Sequence, residues 1–237
     1  MANTRFNPTN NGPLHIGHLY TALVNEYEAH RTGGRFIVRL EDNQEYWCWQ
    51  LGNTAKAYSM EMRQDLEWFG LKVDEWTEQS TMERQAHEAM RALLRGGELH
   101  CERKFAFHGV NVQGSGIGYF PYAPYLTAEK VVLDFMQGVN LLIRGVDLIS
   151  ENSLYTYFCD VFGLQFPRMV YLPRLSLPGN AEIQPDVSKT IGGHKIKQYR
   201  QKMTAIELEN KLREACLINP GGDWAIENVK ANPVWAG

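Results

Sequence analysis

Apolar and polar positions change period within the first forty residues, and the change marks a strand–loop–helix–strand unit. Asn3 to Phe6 reads as a short strand, broken by the turn-rich run Asn7-Pro8-Thr9-Asn10-Asn11-Gly12-Pro13. From about His15 to His30, Leu19, Ala22, Leu23 and Tyr27 recur at helical spacing and share one face. Gly33-Gly34 supplies the left-handed residue that ends this helix. Arg35 to Leu40 then reads as a buried strand with Glu41-Asp42 at its carboxyl end. Strands joined by a crossover helix lie parallel, so the chain opens as an α/β sheet.

The pattern continues with two helices. One runs from about Gly52 to Phe69, with Tyr58, Met62, Leu66 and Phe69 inward. The other runs from about Thr81 to Arg95, with Ala86, Ala89, Met90 and Leu93 inward and Gly96-Gly97 as its stop. Residues 101–125 are rich in glycine and proline among aromatics and read as a loop-rich insertion or linker. Strands are predicted near Val131–Leu133 and Leu141–Arg144. Ser150 can cap a helix whose inward set is Leu154, Tyr157, Phe158, Val161 and Phe162, closed by Gly163. Met169 to Leu172 reads as a further strand and Pro173 to Gly193 as a long loop. Thr204 and Glu207 form a capping box for a last helix carrying Leu208, Leu212 and Cys216.

Composition narrows the class. The chain has 237 residues, 24 basic and 27 acidic, a formal net charge of -3 and 44% apolar residues. That suits one large domain and excludes wholesale disorder and collagen-like repeats. No apolar run approaches the roughly 18 residues of a membrane span, and Met1 to Asn11 lacks the apolar stretch of a secretion signal. No membrane partner and a cytoplasmic location are therefore expected. Cys48, Cys101, Cys159 and Cys216 lie far apart without a CxxC pair, which argues against a disulfide scaffold. The slightly acidic balance argues against a wholly basic nucleic-acid coat, yet it leaves room for a local basic site.

The sharpest chemical signal is His15-Ile16-Gly17-His18, after a strand and a Gly/Pro loop at the start of a helix. A helix N-terminus offers unpaired N–H groups and a positive dipole end, both suited to phosphate. Histidines at i and i+3 can reach the same anion over that turn. Gly17 leaves space for a flat ring against the backbone. The competing reading is an amphipathic helix that happens to begin with two histidines, and the flanking strands weigh against it.

The run from Thr4 to Leu23 resembles the start of class I glutamyl- and glutaminyl-tRNA synthetases, whose signature there is Arg-Phe-x-Pro-x-x-x-Gly-x-Leu-His-x-Gly-His/Gly. Arg39-Leu40-Glu41-Asp42 is similar to the family's Arg-Ile-Glu-Asp, and Asp65 to Leu71 to its DLxWLGL segment. Ile143 to Leu148 resembles its Arg-Gly-x-Asp stretch, and Ser188-Lys189 the centre of the Lys-Met-Ser-Lys-Ser loop. These matches are collinear over roughly residues 4–200. Few residues follow Lys189, so the chain looks most like the truncated paralogues, the glutamyl-Q tRNA(Asp) synthetases, with no anticodon-binding domain expected. Asp223 to Asn228 is faintly similar to their tail.

The resemblance implies a Rossmann-like, HIGH-type nucleotide-binding α/β domain with a parallel sheet. Its first half would span residues 1–100 and its second half 126–200, around a short insertion at 101–125, with a small helical tail at 201–237. It implies ATP with Mg²⁺ as cofactors, and a small amino acid or related carboxylate, glutamate-like, activated as an adenylate. Transfer to a tRNA or another acceptor would follow. By position, His15 and His18 would contact the phosphates and Lys189 would neutralise the departing pyrophosphate, with Gly17, Asp147 and Ser188 also in the ATP site. Arg5 and Arg144 match the arginines that hold substrate carboxylates, a task suited to a bidentate guanidinium. Glu41 matches the receptor of the α-ammonium, and Tyr125 the substrate-binding tyrosine. For Arg5, Glu41 and Arg144 a surface ion pair is the alternative, and for Tyr125 core packing.

Three departures qualify this. Asn7 and Thr9, with Asn10-Asn11, replace small residues and would make the acid pocket more polar. Cys101 has no partner cysteine nearby, only His100 and His108, so no structural zinc is expected. Asp186 replaces the first lysine of the mobile loop, with Lys195 and Lys197 as compensating cations. From Lys189 to Arg213 the basic residues outnumber Glu207 and Glu209, a local excess suited to phosphates. Two rivals remain open: a non-catalytic synthetase paralogue that binds nucleotide, RNA or protein, and another HxGH-type nucleotidyltransferase.

Overall fold

The computed structural model describes residues 1–43, 53–94, 123–178 and 194–236. It shows a five-stranded, all-parallel sheet in the order β3-β2-β1-β4-β5. Strand β1 is Thr4–Phe6, β2 is Phe36–Leu40 and β3 is Glu75–Glu78. Strand β4 is Leu141–Gly145 and β5 is Arg168–Leu172. Helix α1, Ile16–Arg31, crosses from β1 to β2, and Gly33, at φ 71°, takes the left-handed turn after it. Helices α2 (Asn53–Phe69) and α3 (Gln79–Leu93) flank β3. Helices α4 (Ala123–Met136) and α5 (Asn152–Phe162) flank β4, and a 3₁₀ turn at Val146–Glu151 leads into α5. Two helices follow, α6 (Ile196–Arg200) and α7 (Ala205–Cys216).

The period of two along each strand divides the core into two layers. Phe6, Phe36, Val38, Leu141 and Ile143 pack on one face, with Leu19 and Leu23 of α1, Met62 and Leu66 of α2, and Leu208 and Leu212 of α7. Ile37 and Leu142 face the other way, against Met90 of α3, Val131 and Val132 of α4, and Phe158 of α5. Arg5, Arg39 and Arg144 share the parity of that second face, and all three are buried. Their charges therefore need partners inside the protein or in a ligand.

Several expectations are corrected. Val131–Leu133 is not a strand but the middle of α4, buried on all sides. A short apolar run cannot distinguish a buried strand from a buried helix turn, because periodicity disappears when every side is covered. Strand β3 was not expected: its residues Glu-Trp-Thr-Glu show no apolar alternation, and its register with β2 comes from backbone pairing at the sheet edge. Helix α5 is entered from the 3₁₀ turn rather than capped by Ser150, and Glu151 stands at its N-cap. Tyr155 points inward where Tyr157 was expected, and Tyr157 is exposed. The five-residue α6 lies between the stretch read as loop and the tail, in residues for which no element was predicted. The capping box holds: the Glu207 N–H donates to Thr204 Oγ1 at 3.2 Å, and the Thr204 N–H donates to Glu207 Oε2 at 2.7 Å. Of the 101–125 insertion, residues before Ala123 lie outside the described residues, as does the Gly96-Gly97 stop.

Candidate active site

Chain order reverses between the central neighbours β1 and β4, and in an open parallel sheet the carboxyl ends at such a reversal frame a crevice. A cleft of about 440 Å³ opens there. Arg5, Asn7 and Thr9 line it from the end of β1, and His15, Gly17 and His18 from the start of α1. Arg144 and Asp147 line it from the end of β4, with Arg174 beyond β5. Eight residues named from the sequence thus meet in one cavity.

The histidines form a stacked pair, with ring centroids 3.7 Å apart and planes at 26°. The His15 backbone N–H donates to His18 Nδ1 at 3.3 Å, which assigns the proton of the neutral ring to Nε2. Phe6 meets the His18 ring edge-on at 6.3 Å and limits its rotation. Behind this turn, the Ile16 N–H donates to the His194 carbonyl at 3.1 Å, and the Ile196 N–H to the Leu14 carbonyl at 3.0 Å. The chain returning from residues 179–193 is thereby laid along the start of α1.

The arginines differ in their commitments. Arg5 donates through Nε and Nη2 to the two oxygens of Asp134, at 2.9 and 3.2 Å. Arg39 adds a bond to Asp134 at 2.7 Å, and the Tyr155 hydroxyl another at 2.9 Å. Burial would raise the Asp134 pKa, but the Arg5 and Arg39 charges outweigh it and hold it at about 2. Arg144 lies over the rings of Tyr155 and Tyr171, at 5.5 and 5.8 Å. Its Nη2 donates to Met169 Sδ at 3.4 Å, and Glu151 stands 3.8 Å from Nη1. Its Nε is buried with no hydrogen-bond partner among the described residues. Burial first, and the Arg5 charge second, push Arg144 below its ordinary pKa. An unsatisfied, buried guanidinium N–H is costly and marks a place for an anion.

Arg144 is followed by Gly145, whose missing Cβ would lie 2.3 Å from Asp147 Oδ1. Glycine at this position lets the Asp147 carboxylate fold back over the strand end. Asn7 Nδ2 donates to the Arg39 carbonyl at 2.7 Å and fixes the loop after β1 against β2. Thr9 Oγ1 donates to Glu41 Oε2 at 2.5 Å, and the Lys130 ammonium lies 2.6 Å from Glu41 Oε1. Glu41 is 1% exposed and does not line the cleft.

Lys130, Asp134 and Arg174 were missed in the sequence. Reading residues 131–133 as a strand hid the spacing of four between Lys130 and Asp134, which a helix would have made visible. The side chain of Tyr125, together with Ser188, Lys189, Asp186, Cys101, His100 and His108, lies outside the described residues. The basic excess after Lys189 is partly neutralised: Arg200 is 3.2 Å from Asp65, Lys197 3.6 Å from Glu61, and Arg213 2.6 Å from Glu209. Among the described residues no cluster of three or more His, Cys, Asp or Glu could hold a metal, and no helix is long and apolar enough to cross a membrane.

Residues 1–104 match a family model described as tRNA synthetases class I (E and Q), catalytic domain. The chain is 27% identical over 218 residues to glutamate–tRNA ligase 2 of Neorickettsia sennetsu, covering 83% of this chain and 51% of that protein. It is 34% identical over 236 residues to glutamate–tRNA ligase of Methanococcus maripaludis, covering 74% of this chain and 41% of the other. The chain thus spans about half or less of the length of these curated relatives. Among solved structures, a glutamate–tRNA synthetase from Elizabethkingia anophelis superposes with a TM-score of 0.71 at 13% identity, over 100% of this chain and 68% of that one. A tyrosyl-tRNA synthetase from Aeropyrum pernix superposes at 0.55 and 15% identity, over 82% of this chain and 58% of that one. At these identities the structural likeness establishes the fold.

Proposed function

The chain carries a class I glutamyl-tRNA synthetase-like catalytic core, and from that premise we propose that it activates a small amino acid or related carboxylate, glutamate-like, at the expense of ATP. The observation that carries the reading is the pairing, across one cleft, of the stacked histidines at a helix N-terminus with the Arg144 guanidinium, whose buried Nε has no hydrogen-bond partner among the described residues. One end suits phosphates and the other a carboxylate.

In this reaction a carboxylate oxygen of the acid attacks the ATP α-phosphorus. The new O–P bond forms as the bond to the β-phosphate bridging oxygen breaks, and pyrophosphate leaves with that electron pair. The cleft supplies position and charge neutralisation. His15 and His18 face the phosphates, Gly17 and Asp147 border the nucleotide, and Arg144 holds the acid. Asn7 and Thr9 shape the acid pocket, and Arg5, fixed by Asp134, adds positive potential beside it. By family resemblance Lys189 neutralises the pyrophosphate, Ser188 belongs to the ATP site, Glu41 to the acid pocket, and Tyr125 closes that pocket. Mg²⁺ would enter on the phosphates, since it needs few protein ligands. The activated acyl group then passes to a tRNA nucleotide or another acceptor.

The test is acid-dependent ATP–pyrophosphate exchange across the amino acids and their carboxylate analogues, with and without bulk tRNA. Exchange with at least one acid is expected, and loss of it in Lys189→Ala would assign that lysine. No exchange under any condition, with ATP binding retained, would favour a non-catalytic nucleotide- or RNA-binding paralogue.

A further inference from the structure

An acid that carries an α-ammonium needs a carboxylate to receive it, and the two acids beside Arg5 and Thr9 are already engaged. Asp134 accepts from Arg5, Arg39 and Tyr155. Glu41 is capped on Oε2 by the Thr9 hydroxyl and neutralised on Oε1 by Lys130, at 2.5 and 2.6 Å. The Lys130 side chain is only 22% exposed and that of Glu41 only 2%, so water screens this pair little. Thr9 lines the cleft, and its hydroxyl bond to Glu41 sets the ion pair next to that part of the lining. The described lining therefore holds three arginines, Arg5, Arg144 and Arg174, against a single acid, Asp147.

We infer that Lys130 is a specificity-determining residue: its ammonium fills the place a substrate ammonium would take at Glu41, and the cleft selects a short dicarboxylate without an α-amino group. This rests on the activation reading above and names its substrate class. An entering ammonium must either displace Lys130 from a shielded ion pair or sit beside it as a like charge. Both cost affinity, whereas a second carboxylate meets Arg144 and an arginine-rich wall. Arg144 is suited to that role because its Nε has no partner among the described residues. Lys130→Met removes the Lys130 ammonium from Glu41 and with it the like charge that an entering ammonium would meet.

Calorimetric titration of the whole chain with glutarate and with L-glutamate, in the absence of ATP, reads this directly. The wild type should bind glutarate about tenfold more tightly. Lys130→Met should reverse the preference toward L-glutamate by about tenfold or more, while Lys130→Arg, which keeps the charge, should retain the wild-type order. A wild type that prefers L-glutamate, equal affinities in wild type and Lys130→Met, or no binding of either acid would each overturn the inference. Should Lys130→Met melt before titration, the wild-type preference decides alone. Pyrophosphate exchange with the same acids judges the activation reading separately: its absence sinks activation, and the binding order still judges Lys130.

Discussion

The Trp235 indole N–H donates to the Tyr199 hydroxyl oxygen at 2.9 Å, and that same oxygen lies 2.7 Å from His194 Nδ1. Trp235 also donates its backbone N–H to the Ser176 carbonyl at 2.8 Å. One residue of the tail thus ties together the two stems, Ser176 and His194, between which residues 179–193 run. Because the His194 carbonyl accepts from Ile16, the tie extends to the first turn of α1.

Trp235→Phe keeps a ring against Tyr199 but deletes the donor, and should lower unfolding free energy by about 1 kcal/mol. Trp235→Ala removes a side chain that is 1% exposed and should cost about 3–5 kcal/mol. Urea denaturation measures both. Equal, near-zero effects would show that the tail does not hold the stems.

His18 receives the His15 N–H on Nδ1 and lines the cleft. His18→Ala should reduce the rate of pyrophosphate exchange by about 10²–10³-fold, the scale for losing one aligned donor to developing phosphate charge. Its melting temperature should hold close to wild type, since the ring is only half-buried. An unaltered rate would remove His18 from the proposed machinery.

At Gly145 an added Cβ would strike Asp147 Oδ1 at 2.3 Å. Gly145→Ala must swing the carboxylate away from the strand end, and ATP affinity should weaken by about tenfold. Equilibrium dialysis with labelled ATP reads the change, and Asp147→Ala should mimic it if displacement of that carboxylate is the cause.

Asp134 holds two buried guanidiniums. Asp134→Asn leaves Arg5 and Arg39 without their counter-ion and should destabilise the fold by about 3–5 kcal/mol. Its folded pKa of about 2 lies below the ordinary 3.8, so its contribution is complete above that ordinary value. It is lost as the pH falls through about 2, and acid unfolding of the wild type should include this step.

Asp65 shifts the opposite way. Burial raises it to about 7 against the pull of Arg200, which lies 3.2 Å away. A folded pKa above the unfolded value means that folding favours the protonated form. That stabilisation is full below about 3.8 and is lost as the pH rises through about 7. Melting temperature should therefore fall between about pH 4 and pH 7 in the wild type and stay flatter in Asp65→Asn. Parallel pH profiles for the two proteins would contradict this assignment.

Local information in the chain determined the β1–α1–β2 unit. A short strand, a helix with apolar residues at 3.6 spacing and a buried strand follow one another, punctuated by a Gly/Pro loop and Gly33, so neighbours in sequence decide each element. The same unit placed His15, Gly17 and His18 at a helix N-terminus, and motif order brought Arg5, Asn7, Thr9, Arg144 and Asp147 toward the same end of the sheet. The Thr204–Glu207 box was legible for the same reason, since both partners lie within one turn. Strand β3 was not legible, because Glu75–Glu78 owes its shape to backbone pairing with β2 rather than to its own side chains. Neither was α4, where the consecutive buried residues Val131 to Asp134 erase the periodicity that marks a surface helix. That missing helix supplies Lys130 and Asp134. Whether Arg5 and Glu41 face a substrate or an internal counter-ion depends on them, and such long-range ion pairs are fixed only when the packed sheet brings α4 over β1 and β2 and excludes the water that would otherwise solvate each charge.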